Sequence, residues 1–343
     1  MRVLVTGATG FVGAWVAREL ASRGHAIRVL VRPQSRLDNL QDVPCDRVVG
    51  DVTDPASAER AVAGCEAVVH AAGFARLRAG DRDHLFAVNQ SGAEKVLAAA
   101  LRAGVRRAVF VASAGALGGT WEPEVLDETW SGSAEQVAVD YFVSKLRGEQ
   151  AARALARAGL PLVILRPGVV LGPGDVYHSS AGTVLMLARG ALPGYVRGGG
   201  SYCDVRDVAR AHAEALERGR PGETYHLGGH NLEMGELARL VSRLSGTPMP
   251  RRLPYVVMLA VAFLKELAAK AHGRRSPISR QLVRGGRRYT FLSSEKARRE
   301  LGYATRPLEE TLRDTLRWFL AHGDLEARTP ELRALSAAAK TAC

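Results

Sequence analysis

The sequence predicts a doubly wound α/β fold, in which a parallel sheet carries helices on both faces and a smaller C-terminal lobe follows. β-Branched runs alternate with Ala-rich helical stretches over residues 1–170, at the spacing of βαβ units. The runs are largely apolar, as strands buried on both faces are. A glycine-rich turn joins the first run to the first helical stretch.

Six runs have the composition of strands: 2–6, 26–31, 47–49, 67–70, 107–112 and 161–166. After the first run, Val12, Trp15, Val16 and Leu20 recur at helical spacing, and Gly24 can end that helix. The order strand, helix, strand therefore begins at the first residues of the chain.

Capping residues predict where two further helices begin. Asp54 before Pro55 has the pattern of an N-cap followed by proline at the first helical position. Ser133 and Gln136 have the spacing of a capping box, which predicts a helix from there to about residue 158. Farther on, the patterns predict helices at 204–218, 232–245 and 307–321 and a strand at 224–227.

Composition bounds the class of protein. The 343 residues are 47% hydrophobic and 24% charged, which excludes a disordered chain. Four cysteines lie far apart without a C-x-x-C pair, so we expect neither a disulfide framework nor a cysteine-based zinc site. The first strand follows Met1 directly, without the pattern of a signal peptide, and this favours a cytoplasmic protein.

The glycine-rich turn predicts a dinucleotide site and hence a Rossmann domain. Glycines at 7, 10 and 13 permit a tight turn and a close approach of backbone to a diphosphate. The helix that follows presents free N–H groups and its positive end. The candidate cofactor-binding residues of this turn are Gly7, Thr9, Gly10, Phe11, Val12 and Gly13.

The predicted elements suggest a division of the chain. The Rossmann domain is expected to span 1–170, with 204–228 returning to it. Residues 171–203 and 229–323 would form the substrate lobe, and 324–343 a loose tail.

The end of the second strand favours NADPH over NAD. Sites for NAD usually carry an acidic residue here for the ribose 2′-hydroxyl, whereas this chain has Arg32 and Arg36. A guanidinium can hold a 2′-phosphate through paired hydrogen bonds. The alternative is that both are ordinary solvated surface arginines.

Residues after the third and fourth strands complete the candidate cofactor site. Asp51 could accept from the adenine amino group with Val52 against the ring, although an aspartate that only shapes the turn is the alternative. Ala71, Ala72 and Gly73 are small enough to admit the cofactor.

Tyr141 and Lys145 stand one helical turn apart and form the candidate catalytic pair with Ser113, at the end of the fifth strand. Reduction of a carbonyl needs a proton donor, and a nearby ammonium is expected to lower the pKa of a phenol. The Ser113 hydroxyl can polarise the substrate oxygen. Asn89 is a candidate for orienting backbone or water; a structural amide is the alternative.

Together these motifs resemble the extended short-chain dehydrogenase/reductases, also called the NAD-dependent epimerase/dehydratase family. The motifs are TGATGFVG at 6–13, GDVTD at 50–54, HAAG at 70–73, VASAGALG at 111–118, YFVSK at 141–145, LRPGVVLGPGD at 165–175 and DVRDVA at 204–209. Within the family the chain looks closest to the dihydroflavonol 4-reductase, 3β-hydroxysteroid dehydrogenase and hopanoid-associated epimerase-like groups.

The resemblance implies further roles and shows two departures. It implies that Pro167 and Gly168 border the nicotinamide carboxamide. The Lys145 ammonium can also bind the ribose hydroxyls. Pro167-Gly168 stands where sugar-nucleotide epimerases have Tyr-Phe-Asn, which argues against a nucleotide-sugar substrate. Ala112 precedes Ser113 where the family often has two serines.

Several other residues have ordinary explanations. His226 and His230 have the H-x-x-x-H spacing, but they lie in the predicted strand 224–227 and after a Gly-Gly pair instead of on one helix, so no metal is expected. Cys203 could touch substrate, but a small buried side chain is the simpler interpretation. Four aromatic residues outside the predicted sheet could line a substrate pocket: Trp121, Tyr177, Tyr195 and Tyr202.

Positive charge is concentrated in one segment. The chain has a formal net charge of +12, and residues 251–300 carry 13 Lys or Arg against 3 Asp or Glu. Without a nucleic-acid-binding motif, nucleic acid is not the expected partner. A solvated basic surface is one interpretation. Another is a peripheral membrane contact through 251–275, where the apolar run 256–264 lies between arginine pairs.

The sequence therefore predicts an NADPH-dependent enzyme that reduces a lipophilic ketone or aldehyde to an alcohol, or catalyses the reverse. Its partner is a small carbonyl or alcohol substrate, and a homodimer is left open by analogy. The alternatives are an epimerase or dehydratase with NAD acting on a sugar-like substrate, and a non-catalytic protein that senses the cofactor.

Overall fold

The computed structural model describes residues 1–75, 81–273, 276 and 278–340. The strands are β1 (Arg2–Thr6), β2 (Ala26–Val31), β3 (Cys45–Val49), β4 (Ala67–His70), β5 (Arg107–Val111), β6 (Val125–Leu126), β7 (Leu162–Pro167), β8 (Val169–Leu171), β9 (Gly199–Asp204), β10 (Thr224–Leu227), β11 (His230–Glu233) and β12 (Tyr289–Leu292). The helices are α1 (Phe11–Ser22), α2 (Pro55–Val62), α3 (Arg82–Phe86), α4 (Ala93–Arg102), α5 (Asp140–Arg157), α6 (Gly182–Ala188), α7 (Val205–Arg218), α8 (Met234–Ser245), α9 (Tyr255–Ala271), α10 (Arg280–Gly285), α11 (Glu295–Leu301), α12 (Leu308–Ala321) and α13 (Pro330–Lys340).

Seven strands form one parallel sheet in the order β3-β2-β1-β4-β5-β7-β10. Because side chains alternate along a strand, β1 supplies both faces. Val3 and Val5 pack with α1 and α7, whereas Leu4 packs with α2 and α4 on the other face. The predicted Rossmann-type doubly wound fold is confirmed.

A second sheet has the order β11-β9-β12-β6, with β8 paired to β9. A separate core beside it is formed by α6, α8, α12 and α13. The predicted helix at 307–321 corresponds to α12, and the one at 232–245 begins two residues late, as α8.

Of the two predicted N-caps, the one before α2 begins its helix and the one before α5 does not. Asp54 accepts hydrogen bonds from the backbone N–H groups of Ala56 at 3.3 Å and Ser57 at 3.0 Å, so its prediction as the N-cap of α2 is confirmed. The capping box at Ser133 is wrong as a start for α5, because it caps only the 3₁₀ turn Ala134–Gln136. Ala138 then takes a left-handed φ of 52°, which interrupts the helical path before α5 begins.

The division of the chain differs from the prediction at three places. β6, from the first 170 residues, pairs in the second sheet, while Ala297 and Leu301 of α11 join the core of the first sheet around α7. The loose tail is wrong for its described part, because α13 packs Leu332 and Leu335 against α8 and α12. The two leucines lie three residues apart and form one apolar helical face.

Candidate active site

The turn between β1 and α1 has the close backbone approach that its glycines predict. Gly7 has a φ of +72°, and a Cβ added there would lie 2.5 Å from Ala72 N. A Cβ on Gly13 would lie 2.3 Å from Gly7 O, and Gly10 N donates to Gly7 O at 2.9 Å. Both positions therefore require glycine.

The N-terminus of α1 fits the diphosphate of a dinucleotide. Gly10 is its N-cap, no side chain caps the free N–H groups, and the first turn holds no acidic residue. A bound anion can therefore satisfy these donors. Phe11 is buried in the core, so only its backbone is available to a cofactor; Val12 is partly buried, and Thr9 lies in the turn before them.

The residues after β4 lie between this turn and α5. Ala72 N donates to Thr6 Oγ1 at 3.3 Å, which holds the segment across the end of β1. A Cβ on Gly73 would lie 3.9 Å from Lys145 Nζ and 3.4 Å from Asn89 Oδ1. Ala71, Ala72 and Gly73 thus lie along one path between the glycine turn and the candidate catalytic lysine.

The two arginines after β2 differ in their surroundings. Arg36 Nε donates to Asp38 Oδ2 at 2.8 Å, and this exposed ion pair raises the pKa of Arg36. Arg32 is exposed and has no ion-pair partner among the residues that the structure describes. Ser35 Oγ accepts from Arg32 N at 3.2 Å, which closes the turn that carries both. Arg32 is therefore the arginine more available to an anion.

The loop after β3 is shaped by Asp51. Its Oδ1 accepts from both the N–H and the hydroxyl of Thr53, each at 2.8 Å, which is the turn-forming arrangement. Val52 packs toward Gly92, where an added Cβ would lie 2.9 Å from Val52 Cγ2. The roles of Asp51 and Val52 toward adenine stay predictions.

The parallel sheet brings Ser113 and Tyr141 together. Ser113 Oγ accepts from Gly115 N at 3.2 Å, so its own proton is free to donate. The Tyr141 phenol lies against this hydroxyl. Burial raises the pKa of Tyr141, and the contact with Ser113 only partly opposes that rise. We expected Lys145 to lower the pKa of Tyr141, but in the structure this pKa is raised. Burial of the phenol dominates, and the Lys145 ammonium donates to backbone instead.

Lys145 is buried and tied to the sheet. Its Nζ donates to Val111 O at 2.7 Å and lies 5.2 Å from the centre of the Phe110 ring. Burial lowers its pKa to about 8, while the charge of Glu149 acts in the opposite direction. An ammonium has three donors, so donors remain for a ligand beside Gly73.

A buried ion cluster fixes the helix that carries Tyr141 and Lys145. Glu149 accepts from Arg166 Nε of β7 at 2.9 Å and from Arg153 Nε at 2.9 Å, and it is 2% exposed. Its pKa is lowered because the attraction of the two arginines outweighs the burial that opposes it. The sequence interpretation missed this cluster; the only indication was a glutamate one turn beyond Lys145.

Asn89 is a buried bridge between the cofactor side and α5. Its Oδ1 accepts from Phe74 N at 2.7 Å, and its Nδ2 donates to Phe74 O at 3.0 Å and Ser144 Oγ at 2.9 Å. Ser144 in turn donates to Tyr141 O at 2.8 Å. These contacts fit a structural amide, the alternative interpretation of Asn89, better than a residue that orients water.

The remaining candidates fall in different places. Gly168 lies against β9, since an added Cβ would be 2.2 Å from Ser201 O, and Pro167 ends β7 beside it. Cys203 is buried in the first-sheet core, which confirms the interpretation of a small buried side chain over a contact with substrate. Tyr202 is likewise packed in a core and does not line a pocket.

The other three aromatic residues are dispersed. Trp121 is 54% exposed and lies under Arg288, whose guanidinium is 3.6 Å from the ring centre. Tyr177 lies near Arg36, and Tyr195 pairs with Arg252 in an isolated β-bridge. They do not form one pocket around Tyr141.

Comparison with known proteins assigns the chain to a family. The profile of the NAD dependent epimerase/dehydratase family matches residues 3–228, and the chain belongs to this family. It is therefore an NAD(P)-binding protein of an oxidoreductase and epimerase family, as its Rossmann domain and glycine turn indicate.

Individual relatives extend over nearly the whole chain. A Synechocystis protein provisionally named dihydroflavonol 4-reductase is 34% identical, covering 93% of this chain and 94% of its own. Sterol demethylase protein B of Methylococcus capsulatus is 34% identical, covering 94% and 99%. The crystal structure of gox2253 is 38% identical, with a TM-score of 0.82, covering 94% of this chain and 99% of that one.

Proposed function

We propose that this enzyme uses NADPH to reduce a lipophilic ketone or aldehyde to an alcohol, or catalyses the reverse oxidation. The observation that carries the proposal is the meeting of Ser113, Tyr141 and Lys145 at the end of β5, beside the glycine turn. The residues that would hold the cofactor are those of the glycine turn, Arg32, the path from Ala71 to Gly73, and Lys145. When bound, the nicotinamide supplies or accepts the hydride.

The chain's own residues manage the proton. Tyr141 stays protonated at neutral pH because its pKa is raised, and its hydroxyl donates that proton to the carbonyl oxygen. Ser113 Oγ accepts from Gly115 N, which leaves its proton to donate a second hydrogen bond to the same oxygen. Lys145, whose Nζ is held on Val111 O, has donors left for the ribose hydroxyls of a bound cofactor.

Two further features support the choice of reductase and of a lipophilic substrate. Arg32, which has no ion-pair partner within the described part of the chain, suits a 2′-phosphate, and Pro167-Gly168 occupies the place expected of Tyr-Phe-Asn in sugar-nucleotide epimerases. The Phe142 ring lies 5.8 Å from that of Tyr141, and one relative is named for sterol demethylation. The epimerase and the cofactor sensor remain the alternatives; a sensor has no use for a proton donor.

Cofactor titration of three proteins tests the proposal. Wild type, Arg32→Ala and Arg36→Ala are titrated with NADPH and NADH and followed by fluorescence. We expect a preference for NADPH that falls about 10- to 100-fold in Arg32→Ala, the value of a charge-assisted hydrogen bond or two. Arg36→Ala should change it less, because Asp38 already holds that guanidinium. Tighter NADH binding, or NAD that co-purifies and cannot be removed, overturns the proposal in favour of an epimerase.

A further inference from the structure

Helix α9 exposes an apolar face that the described part of the chain does not cover. Met258 and Ala262 are its buried residues. The large apolar side chains that remain exposed are Val256 (70%), Val257 (42%), Phe263 (48%), Leu264 (61%) and Leu267 (55%). Positions 256, 260, 263, 264 and 267 recur at helical spacing, so they form one continuous stripe.

The surroundings of this stripe are strongly basic. Residues 251–273 and 278–288 carry eight Lys or Arg and one acidic residue, Glu266, a net formal charge of +7. Glu266 Oε2 already accepts from Arg280 Nε at 2.7 Å. An apolar face with a basic rim is the pattern of a helix that lies in a membrane interface.

Aromatic and basic side chains meet where α9 begins. The Arg287 guanidinium lies 4.4 Å from the ring centre of Tyr255 and 4.7 Å from that of Trp121. Beside them is an open cavity of about 450 Å³, lined in part by Arg197, Arg252 and Arg287. Tryptophan and tyrosine are enriched at the headgroup level of a bilayer, and arginine is attracted to its anionic phosphates. The cavity has room for a phosphate group.

We propose that α9 lies in the surface of a bilayer containing anionic phospholipid, with its apolar stripe inserted and the surrounding arginines on lipid phosphates. No helix among the described residues is long and apolar enough to cross a membrane, so the contact is peripheral. A second copy is disfavoured as the occupant, because a two-fold interface would bring two faces of charge +7 together.

The surface is connected to the catalytic helix through α10. Gln281 Oε1 accepts from Asp140 N at 2.9 Å, and a Cβ on Gly285 would lie 3.1 Å from the Phe142 ring. Asp140 and Phe142 flank Tyr141, so the bilayer would lie close to the candidate active site.

Vesicle co-sedimentation tests the proposal on the full chain. Wild type, Val256→Glu and Leu264→Glu are mixed with vesicles of phosphatidylcholine alone or of phosphatidylcholine and phosphatidylglycerol in equal parts. Both substituted side chains are exposed, so folding should be unaffected. The matched control is Val49→Glu, since Val49 is 58% exposed on β3.

Wild type and Val49→Glu should bind the anionic vesicles at least about tenfold more tightly than the neutral ones, and less at high salt. Each α9 variant should lose about tenfold or more of that binding. Wild type that stays in the supernatant with both vesicles overturns the proposal, as does unchanged binding by Leu264→Glu. A wild-type dimer that Leu264→Glu converts to monomer, without vesicle binding, also overturns it and assigns the face to a second copy.

Discussion

Lys145 Nζ donates a 2.7 Å hydrogen bond to the carbonyl oxygen of Val111, the last residue of β5. The candidate catalytic lysine is thus held by the strand whose end leads, two residues on, to Ser113. The bond fixes the distance between the helix that bears Tyr141 and the sheet edge that bears Ser113. The bond also keeps the Lys145 ammonium buried, and burial of this charge should lower the free energy of unfolding.

Replacing Lys145 with methionine should separate stability from catalysis. Burial lowers the pKa of Lys145 from 10.5 to about 8, so the folded protein releases this proton earlier than the unfolded chain does. The buried charge is therefore destabilising at pH 7, and wild-type stability should rise with pH between about 8 and 10.5. Lys145→Met should be more stable than wild type at pH 7 by about 1–3 kcal/mol, and reduction should slow at least about 100-fold.

Urea unfolding at several pH values checks this prediction. The stability difference between Lys145→Met and wild type should shrink as the pH rises above 8, where the wild-type lysine becomes neutral. Lys95→Met is the control: Lys95 is half-buried and donates to Thr53 O at 2.7 Å, so it tests loss of a similar bond. A difference that does not vary with pH would show that Lys145 is not strained by burial.

Gly7→Ala should abolish cofactor binding for steric reasons. The added Cβ would lie 2.5 Å from Ala72 N, so the end of β4 must move. Gly64 has the same φ of +72° and nothing within 4 Å, which makes Gly64→Ala a matched control for the backbone strain alone. Both should lose about 1–2 kcal/mol from that strain, whereas only Gly7→Ala should weaken NADPH binding by more than about tenfold. Equal NADPH affinities in the two variants would contradict the assignment of the turn.

Glu149→Gln should destabilise the protein by about 3–5 kcal/mol, because it removes the carboxylate that compensates two partly buried arginines. The control Glu135→Gln breaks an exposed pair with Arg147 and should cost less than about 1 kcal/mol. Thermal or urea unfolding measures both. A loss below 1 kcal/mol in Glu149→Gln would show that the cluster does not hold α5 on β7.

Asn89→Ala should displace Tyr141 indirectly, through Ser144. The substitution removes three hydrogen bonds that join residue 74 to Ser144, and Ser144 contacts Tyr141 O. We expect a loss of about 2–4 kcal/mol in stability and a fall in kcat larger than any rise in KM. Steady-state kinetics checks this, and a change confined to KM would assign Asn89 to substrate binding instead.

The elements that sequence reasoning predicted best are those fixed by local pattern. Gly7 and Gly13 could be placed because only a strand, a tight turn and a helix suit that spacing, and parallel strands put Ser113 at the same sheet edge. Asp54 could be placed because its cap depends on residues two and three positions away.

The features that sequence reasoning missed depend on contacts between distant segments or on backbone detail. Arg166 and Glu149 are brought together only when α5 packs on β7. Leu332 and Leu335 become a core face only because α8 and α12 are there to receive them. Arg36 and Asp38 are close in sequence, but no sequence pattern indicates that two exposed side chains will form an ion pair. The left-handed Ala138 that delays α5 gives no sign in the residue type.

Coupled turnover tests whether Tyr141 donates the proton in a net carbonyl reduction. Lipophilic ketones and aldehydes are incubated with NADPH and either wild type or Tyr141→Phe, and NADPH oxidised and alcohol formed are both quantified. We expect one alcohol for each NADPH consumed by wild type and a rate at least about 100-fold lower in Tyr141→Phe. Interconversion of substrate isomers without net oxidation of cofactor, or equal rates in the two proteins, would contradict it.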